Sequence, residues 1–301
     1  MVEKKTWKDW VFDGFNIFVM LIFLVTVLYP FLHSLAVSLN EAGDTTRGGI
    51  TIFPRFLTWD NYSLVLQNDK VYTAYMITIG RTFLGTVLGL FLTSTLAYGL
   101  TIRRLKGRRV YIFLCLIPMY FSGGIVPFFL LLRSLGLLNS FWVYVIPLLI
   151  NVWNMFLMRT FFSQLPKEME ESALLDGANY LQIYRHIIFP VSGTIFATIA
   201  LFIGVMHWNA WYDAAMYVNK QELKPLQSVL ISIVNEAKFA ERMMAAGMSS
   251  GDIAALAQGR KTNTRSITMA TMIITIIPIL ISYPFLQKYF VKGVMVGSVK
   301  G

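Results

Sequence analysis

The chain has 301 residues, 56% of them hydrophobic and 14% charged, against about 25% charged in soluble globular domains. This composition excludes a water-soluble enzyme domain and indicates an integral membrane protein. The formal charge of +10 comes from basic residues dispersed between apolar runs, which excludes a nucleic-acid-binding face, and a single cysteine, Cys115, excludes an intrachain disulfide.

A transmembrane helix needs about 20 predominantly apolar residues, and uncharged stretches of that kind cover 14–40, 82–102, 110–132, 134–158, 186–212 and 266–287. The fold class this predicts is an all-α integral membrane protein, one domain over 1–301 with six transmembrane helices. Lys4, Lys5 and Lys8 precede a first run longer than the roughly 7–15 residues of a signal-peptide core, so it reads as a retained span. In the second span Gly85, Gly89, Thr93 and Ala97 repeat every four residues, a packing face for close helix approach. Arg81 begins this span and either snorkels to the outer interface, the favoured reading, or faces water or a partner. Pro118, the run Tyr120, Phe121, Ser122, Gly123, Gly124, and Pro127 predict a bend or break in the third span. Asn151, Trp153 and Asn154 sit at membrane depth in the fourth span, where interhelical hydrogen bonding and contact with a substrate path both account for Asn151 and Asn154.

Between the fourth and fifth spans the chain turns polar over 165–190. Pro166 suits a first helical turn, and Glu168, Glu170 and Glu171 follow where the positive end of the helix dipole favours them. Gly177 can take the left-handed conformation that ends a helix, and Asn179 with Gln182 has the spacing of a capping pair for the next. Tyr180, Ile183, Tyr184, Ile187 and Ile188 then form one apolar stripe that has to pack on something.

Glu171-Ser-Ala, three residues, Gly177, nine residues and Ile187-Ile-Phe-Pro190 resemble the EAA motif of ABC importer permease subunits, with Ser172 and Phe189 as departures. The resemblance implies a coupling helix docked in a cleft of a cytoplasmic ATPase subunit, with Glu171, Ala173, Gly177, Ile187 and Pro190 as its coupling residues. An amphipathic helix lying on the membrane interface is the plainer alternative.

The fifth span ends in His207, Trp208, Asn209, Ala210, Trp211, Tyr212 and Asp213. Trp208, Asn209, Trp211, Tyr212 and Asp213 are substrate-path candidates, because aromatic faces flanked by amide and carboxylate groups suit sugars; an aromatic belt at the lipid interface fits equally. In one continuous helix Trp208, Trp211 and Tyr212 would share a face and Asn209 and Asp213 the next. The external segment 219–265 keeps helical spacing at Leu226, Val229, Leu230, Ile233 and Ala237, is expected to stop at Gly247, and to hold a short helix from Ser250 and Asp252 to Gly259. The basic tail 288–301, ending Gly297-Ser-Val-Lys-Gly301, resembles the end of maltose-type second permease subunits.

Basic residues set the orientation. Arg103, Arg104, Lys106, Arg108 and Arg109, then Arg159, Lys167 and Arg185, then Lys288, Lys292 and Lys300 fall on one side with the N-terminal lysines, predicting a bacterial plasma-membrane protein with both termini cytoplasmic. No phosphate loop, no His-Glu-x-x-His, no Gly-x-Ser-x-Gly and no metal-spaced cluster appears, so neither an enzyme active site nor a cofactor is expected on this chain. The resemblance implies ATP and Mg on two partner ATPase subunits, a second permease, an extracytoplasmic solute-binding protein and a sugar, an oligosaccharide by preference. A non-sugar importer of the same superfamily and a secondary transporter remain the alternatives; the scarcity of embedded ionisable groups argues against the last.

Overall fold

The computed structural model describes residues 6–245 and 264–298, so the expectations placed on Lys4, Lys5, Gly247, Ser250, Asp252, Gly259 and Lys300 lie outside the described residues. Within them the chain is helical almost throughout, with an isolated antiparallel bridge between Asn40 and Leu57. It divides into two compact units, Met1–Asp69 with Leu230–Ile276, and Lys70–Val229 with Ile277–Gly301.

In the first unit α1 (Trp7–Ser38) opens with the Asp9 carboxylate accepting the Thr6 N–H at 2.7 Å. Its flanks are apolar and exposed within this chain, and only Ala36, Val37 and Ser38 at its end are buried. Such a helix belongs in lipid or against another subunit. Beyond it, α2 (Ala42–Thr45) and α3 (Asp60–Leu66) frame a loop held by side chains. Asn40 Oδ1 accepts the backbone N–H groups of Arg55 and Phe56 at 2.8 and 3.0 Å, and its amide nitrogen donates to Asp44 at 3.0 Å. Asn61 donates to the carbonyls of Ser38 and Asn40, both at 2.9 Å, and Arg55 Nε donates to Asp44 at 2.8 Å. Asn40 and Asn61 thus satisfy backbone groups that no regular element pairs. The Asp44 carboxyl is held below its ordinary range, chiefly by the Asn40 hydrogen bond and then by Arg55. The 20-residue helix α13 (Leu226–Ala245) and α14 (Thr264–Ser298) complete this unit with parts of their length. The last helix continues through Lys288, so the expected tail extends it as far as Ser298.

In the second unit α4 (Asp69–Gly99) begins well before the expected residue 82, because the uncharged turns from Val71 onward are also helical. Its small-residue face is buried as expected. A Cβ on Gly89 would lie 3.4 Å from the Leu149 carbonyl oxygen, and the Thr93 hydroxyl donates to that oxygen at 3.5 Å.

Several of the six expected spans are bent by the geometry. Among the described residues α1 and α4 are long and apolar enough to cross a membrane uninterrupted, and three helix pairs reach that length and hydropathy only together, each bent at a short break. α5 (Arg108–Tyr120) and α6 (Ile125–Ser134) meet at 116°. The break follows Pro118 and is closed by Gly124 at φ +86°, so the predicted interruption is a sharp turn. Two short 3₁₀ turns over Phe141–Leu148 meet α7 (Val152–Ser163) at 44°. There Pro147 interrupts the helical ladder and Asn151 caps the new helix. Tyr180–Val191 meets α11 (Gly193–Asn209) at 85°, two residues after Pro190, which has no N–H for the His186 carbonyl. The straight helix after this bend starts at Gly193, inside the expected stretch that begins at residue 186. One buried cluster gathers Ala97, Met155, Met158, Ile183 and Ile199; another gathers Leu132, Tyr144, Val145 and Ala214.

Candidate functional site

The polar segment folds as its residues dictate. α8 (Lys167–Leu175) follows Pro166 with Glu168 and Glu170 in its first turn. It ends at Gly177, φ +81°, where the Ala178 N–H reaches the Ala173 carbonyl at 2.9 Å and the Gly177 N–H the Leu174 carbonyl at 3.2 Å, the paired bonds of a Schellman stop. Asn179 then caps α9 (Tyr180–Ile183): its side chain accepts the Gln182 N–H at 2.9 Å, while Gln182 Oε1 accepts the Asn179 N–H at 2.8 Å. A wider π turn over Tyr184–Ile188 joins α9 to α10 (Phe189–Val191).

The predicted stripe is the inner face. Ile183, Tyr184 and Ile188 are buried in the Met155 cluster, Tyr180 and Ile187 pack beside them, and the Tyr184 hydroxyl pairs with Ser94 at 2.6 Å. Ala173 also packs on this cluster, whereas Glu171, Gly177 and Pro190 stay exposed. Opposite lies a feature the sequence reading passed over: Leu175 is 89% and Leu181 71% exposed, one apolar side chain on either flank of the Gly177 joint. Their signal was their position off the stripe. A cleft of about 370 Å³ next to α8 is lined by Arg103, Arg104, Lys167, Glu170 and Glu171. Burial, and then the neighbouring Glu171, push the Glu170 carboxyl above its ordinary range.

At the far end of α11 the helix stops at Asn209, and Ala210 is extended (ψ 129°) before α12 (Tyr212–Tyr217). The expected sharing of one face by Trp208, Trp211 and Tyr212 is therefore lost. Trp208 is buried, edge-on to Tyr75 with ring centroids 5.9 Å apart, while Trp211, Tyr212 and Asn209 are exposed. Asn151 is occupied as the cap of α7, accepting the Asn154 N–H at 3.0 Å, and Asn154 is buried behind it.

Asp213 turns inward. Its carboxylate pairs with both terminal nitrogens of Arg81, which also donates to the Ala210 carbonyl at 3.2 Å. The Arg81 guanidinium carbon lies 4.4 Å from the centre of the Tyr144 ring. Arg81 is fully buried, so the expected snorkelling is wrong: a fixed carboxylate, a helix-end carbonyl and an aromatic face replace water around the cation. Next to this group the His207 ring packs on α4 so tightly that a Cβ on Gly85 would lie 2.3 Å from Nε2. A lone base and a lone acid, each in an otherwise uncharged run, were the signal that Arg81 and Asp213 belong together.

The profile of the family described as the binding-protein-dependent transport system inner membrane component matches residues 85–296. The chain is 36% identical over 294 residues to the polygalacturonan/rhamnogalacturonan transport system permease protein YtcP of Bacillus subtilis (strain 168), covering 98% of this chain and 100% of that protein. It is 37% identical over 294 residues to Protein LplC of the same organism, covering 97% and 95%. A crystal structure of a bacterial ABC transporter involved in the import of the acidic polysaccharide alginate superposes with a TM-score of 0.84 at 30% identity, over 96% of this chain and 100% of the other. The chain belongs to the family of binding-protein-dependent transport system inner membrane components, and is a permease subunit of an ABC importer, a transport component and not an enzyme.

Proposed function

We propose that the chain is one of two permeases of a sugar importer, crossing the bacterial plasma membrane six times with both termini in the cytoplasm. On this reading α1, α4, the three bent pairs and α14 each make one crossing, and the arginine-rich loop after α4 lies inside with α8. Two ATPase subunits carrying ATP and Mg bind the 165–190 segment, and an extracytoplasmic binding protein delivers the substrate. Relatives named for polygalacturonan and alginate transport favour oligosaccharides rich in uronic acids.

The observation that supports the coupling role is the joint of α8 and α9: a polar helix stopped by backbone bonds, a second capped by side-chain bonds, and exposed Leu175 and Leu181 offered to a partner on either side. Glu171, Ala173, Gly177, Ile187 and Pro190 shape that joint. A Cβ at Gly177 meets nothing within 4 Å, so substitution there strains only the left-handed backbone. Gly177→Asp is expected to lose substrate-stimulated ATP hydrolysis or ATPase co-purification, with Gly177→Asn retaining more of both because Asn tolerates this conformation. Wild-type stimulation and transport in Gly177→Asp refute the docking role. For the substrate, oligogalacturonates should stimulate hydrolysis by the complex with its binding protein where neutral oligosaccharides do not.

A further inference from the structure

At the same end of the second unit as α8, Arg103, Arg108, Arg109 and Arg159 line a hollow of about 530 Å³ together with Leu105 and Ile112. Arg108 Nε and Arg159 Nε donate to a single acceptor, the Leu100 carbonyl oxygen, at 2.7 and 3.3 Å. Two guanidinium groups are thereby drawn together beside one carbonyl. Among the described residues none of the four arginines has a carboxylate in ion-pair contact, although Glu170 and Glu171 share the neighbouring cleft with Arg103 and Arg108. Two arginines show the contrast: Arg55 is matched by Asp44 and Arg81 by Asp213. Like charges held this close, with spare N–H donors, call for an anion with several acceptor oxygens.

We infer that this hollow binds the phosphate of an anionic phospholipid. The apolar surroundings select lipid over a soluble anion. Val110, Phe113, Leu114 and Ile117 fall at i, i+3, i+4 and i+7 on α5, all exposed within this chain, and run on from Arg109. The opposite face of α5, with Ile112 and Cys115, packs on the Met155 cluster. Arg109, one turn before Phe113, joins the edge of the hollow to this stripe, and a headgroup seated among the arginines would pass its acyl chains by that edge onto the stripe, the arrangement of basic pocket and membrane helix that recognises anionic headgroups.

The test uses the assembled importer in phosphatidylcholine vesicles with and without phosphatidylglycerol, reading phospholipid retained after detergent extraction by native mass spectrometry. Wild type should retain phosphatidylglycerol in preference to phosphatidylcholine. Arg103→Gln with Arg109→Gln removes two cations whose side chains make no backbone bond, and at about 1 kcal/mol per basic residue near the surface should weaken retention about 30-fold. Arg104→Gln, outside the hollow, should retain the lipid and so separates a site from loop charge at large. Equal loss in Arg104→Gln overturns the inference, as does unchanged retention in the double variant. Competition by inorganic phosphate at equal concentration assigns the hollow to soluble anions. Loss of the ATPase subunits from the double variant, with lipid retention intact, assigns it to an acidic protein surface. Either of these results refutes the lipid.

Discussion

Removing the Asp213 carboxylate is the sharpest perturbation available in the second unit. The Arg81 guanidinium is fully buried, and among the described residues Asp213 supplies the only negative charge bonded to it; the Ala210 carbonyl and the Tyr144 face are neutral partners. Breaking a buried pair by deleting one member costs about 3–5 kcal/mol, because the remaining charge is left uncompensated. A domain has a margin of about 5–15 kcal/mol, so Asp213→Ala should sharply reduce the yield of monodisperse protein and its thermal denaturation midpoint. Arg81→Met is expected to cost less, since the carboxylate it abandons is partly exposed (15%) and still accepts the Ala214 N–H at 2.8 Å. The double variant Arg81→Met, Asp213→Leu should recover much of the loss, because apolar residues of similar size often replace a buried pair without penalty. Fluorescence-detected size exclusion with heating, applied to all four proteins, ranks them directly. The reasoning fails if Asp213→Ala matches wild type in yield and midpoint, or if the double variant is as damaged as the sum of the single ones. A normal midpoint with uptake abolished would return Asp213 to the substrate path.

Three further outcomes follow from local geometry. Gly85→Ala drives a methyl group into the His207 ring, and overpacking of this kind costs about 1–3 kcal/mol; a His207→Ala background should restore the denaturation midpoint. Trp211→Ala, at an exposed ring, should lower substrate-stimulated hydrolysis while leaving assembly intact, whereas Trp208→Ala, at a buried one, should cost about 3–5 kcal/mol of stability; normal uptake in Trp211→Ala would make the ring part of an interfacial belt. Because the Asp44 carboxyl is depressed below 3.8 in the folded loop, its stabilising contribution is complete above that pH and is lost as pH falls through the depressed value; Asp44→Asn should flatten the acid dependence of proteolysis within residues 40–61.

The segment 165–190 was the most legible part of the chain because its instructions are local. A glycine stop, an Asn–Gln cap and a stripe of period 3.6 act over a few residues, and each operates as expected. The packing face of α4 was legible for the same reason. Hydropathy, by contrast, cannot see direction: residues 110–132 are equally apolar on both sides of a 116° turn, so only Pro118 and the glycine pair hinted at it. Arg81 was misplaced because a charge was weighed alone, whereas its energy is set by a residue 132 positions away in the chain. Trp208 and Trp211 were given one face by assuming a helix through Ala210, which the Arg81 bond to its carbonyl helps to end.

Each bend also breaks the ladder that lets a helix hide its amides from hydrocarbon. In an unbroken crossing such as α4 every central N–H is closed by the carbonyl one turn behind it, and deuterium has no way in. Between Tyr120 and Ile125, and again between Leu148 and Val152, several amides lose that partner, and in a membrane they are left to water or to other protein groups. The bundle should therefore take up isotope at a few discrete depths, marking the places where solvent reaches between helices that look continuously apolar in sequence.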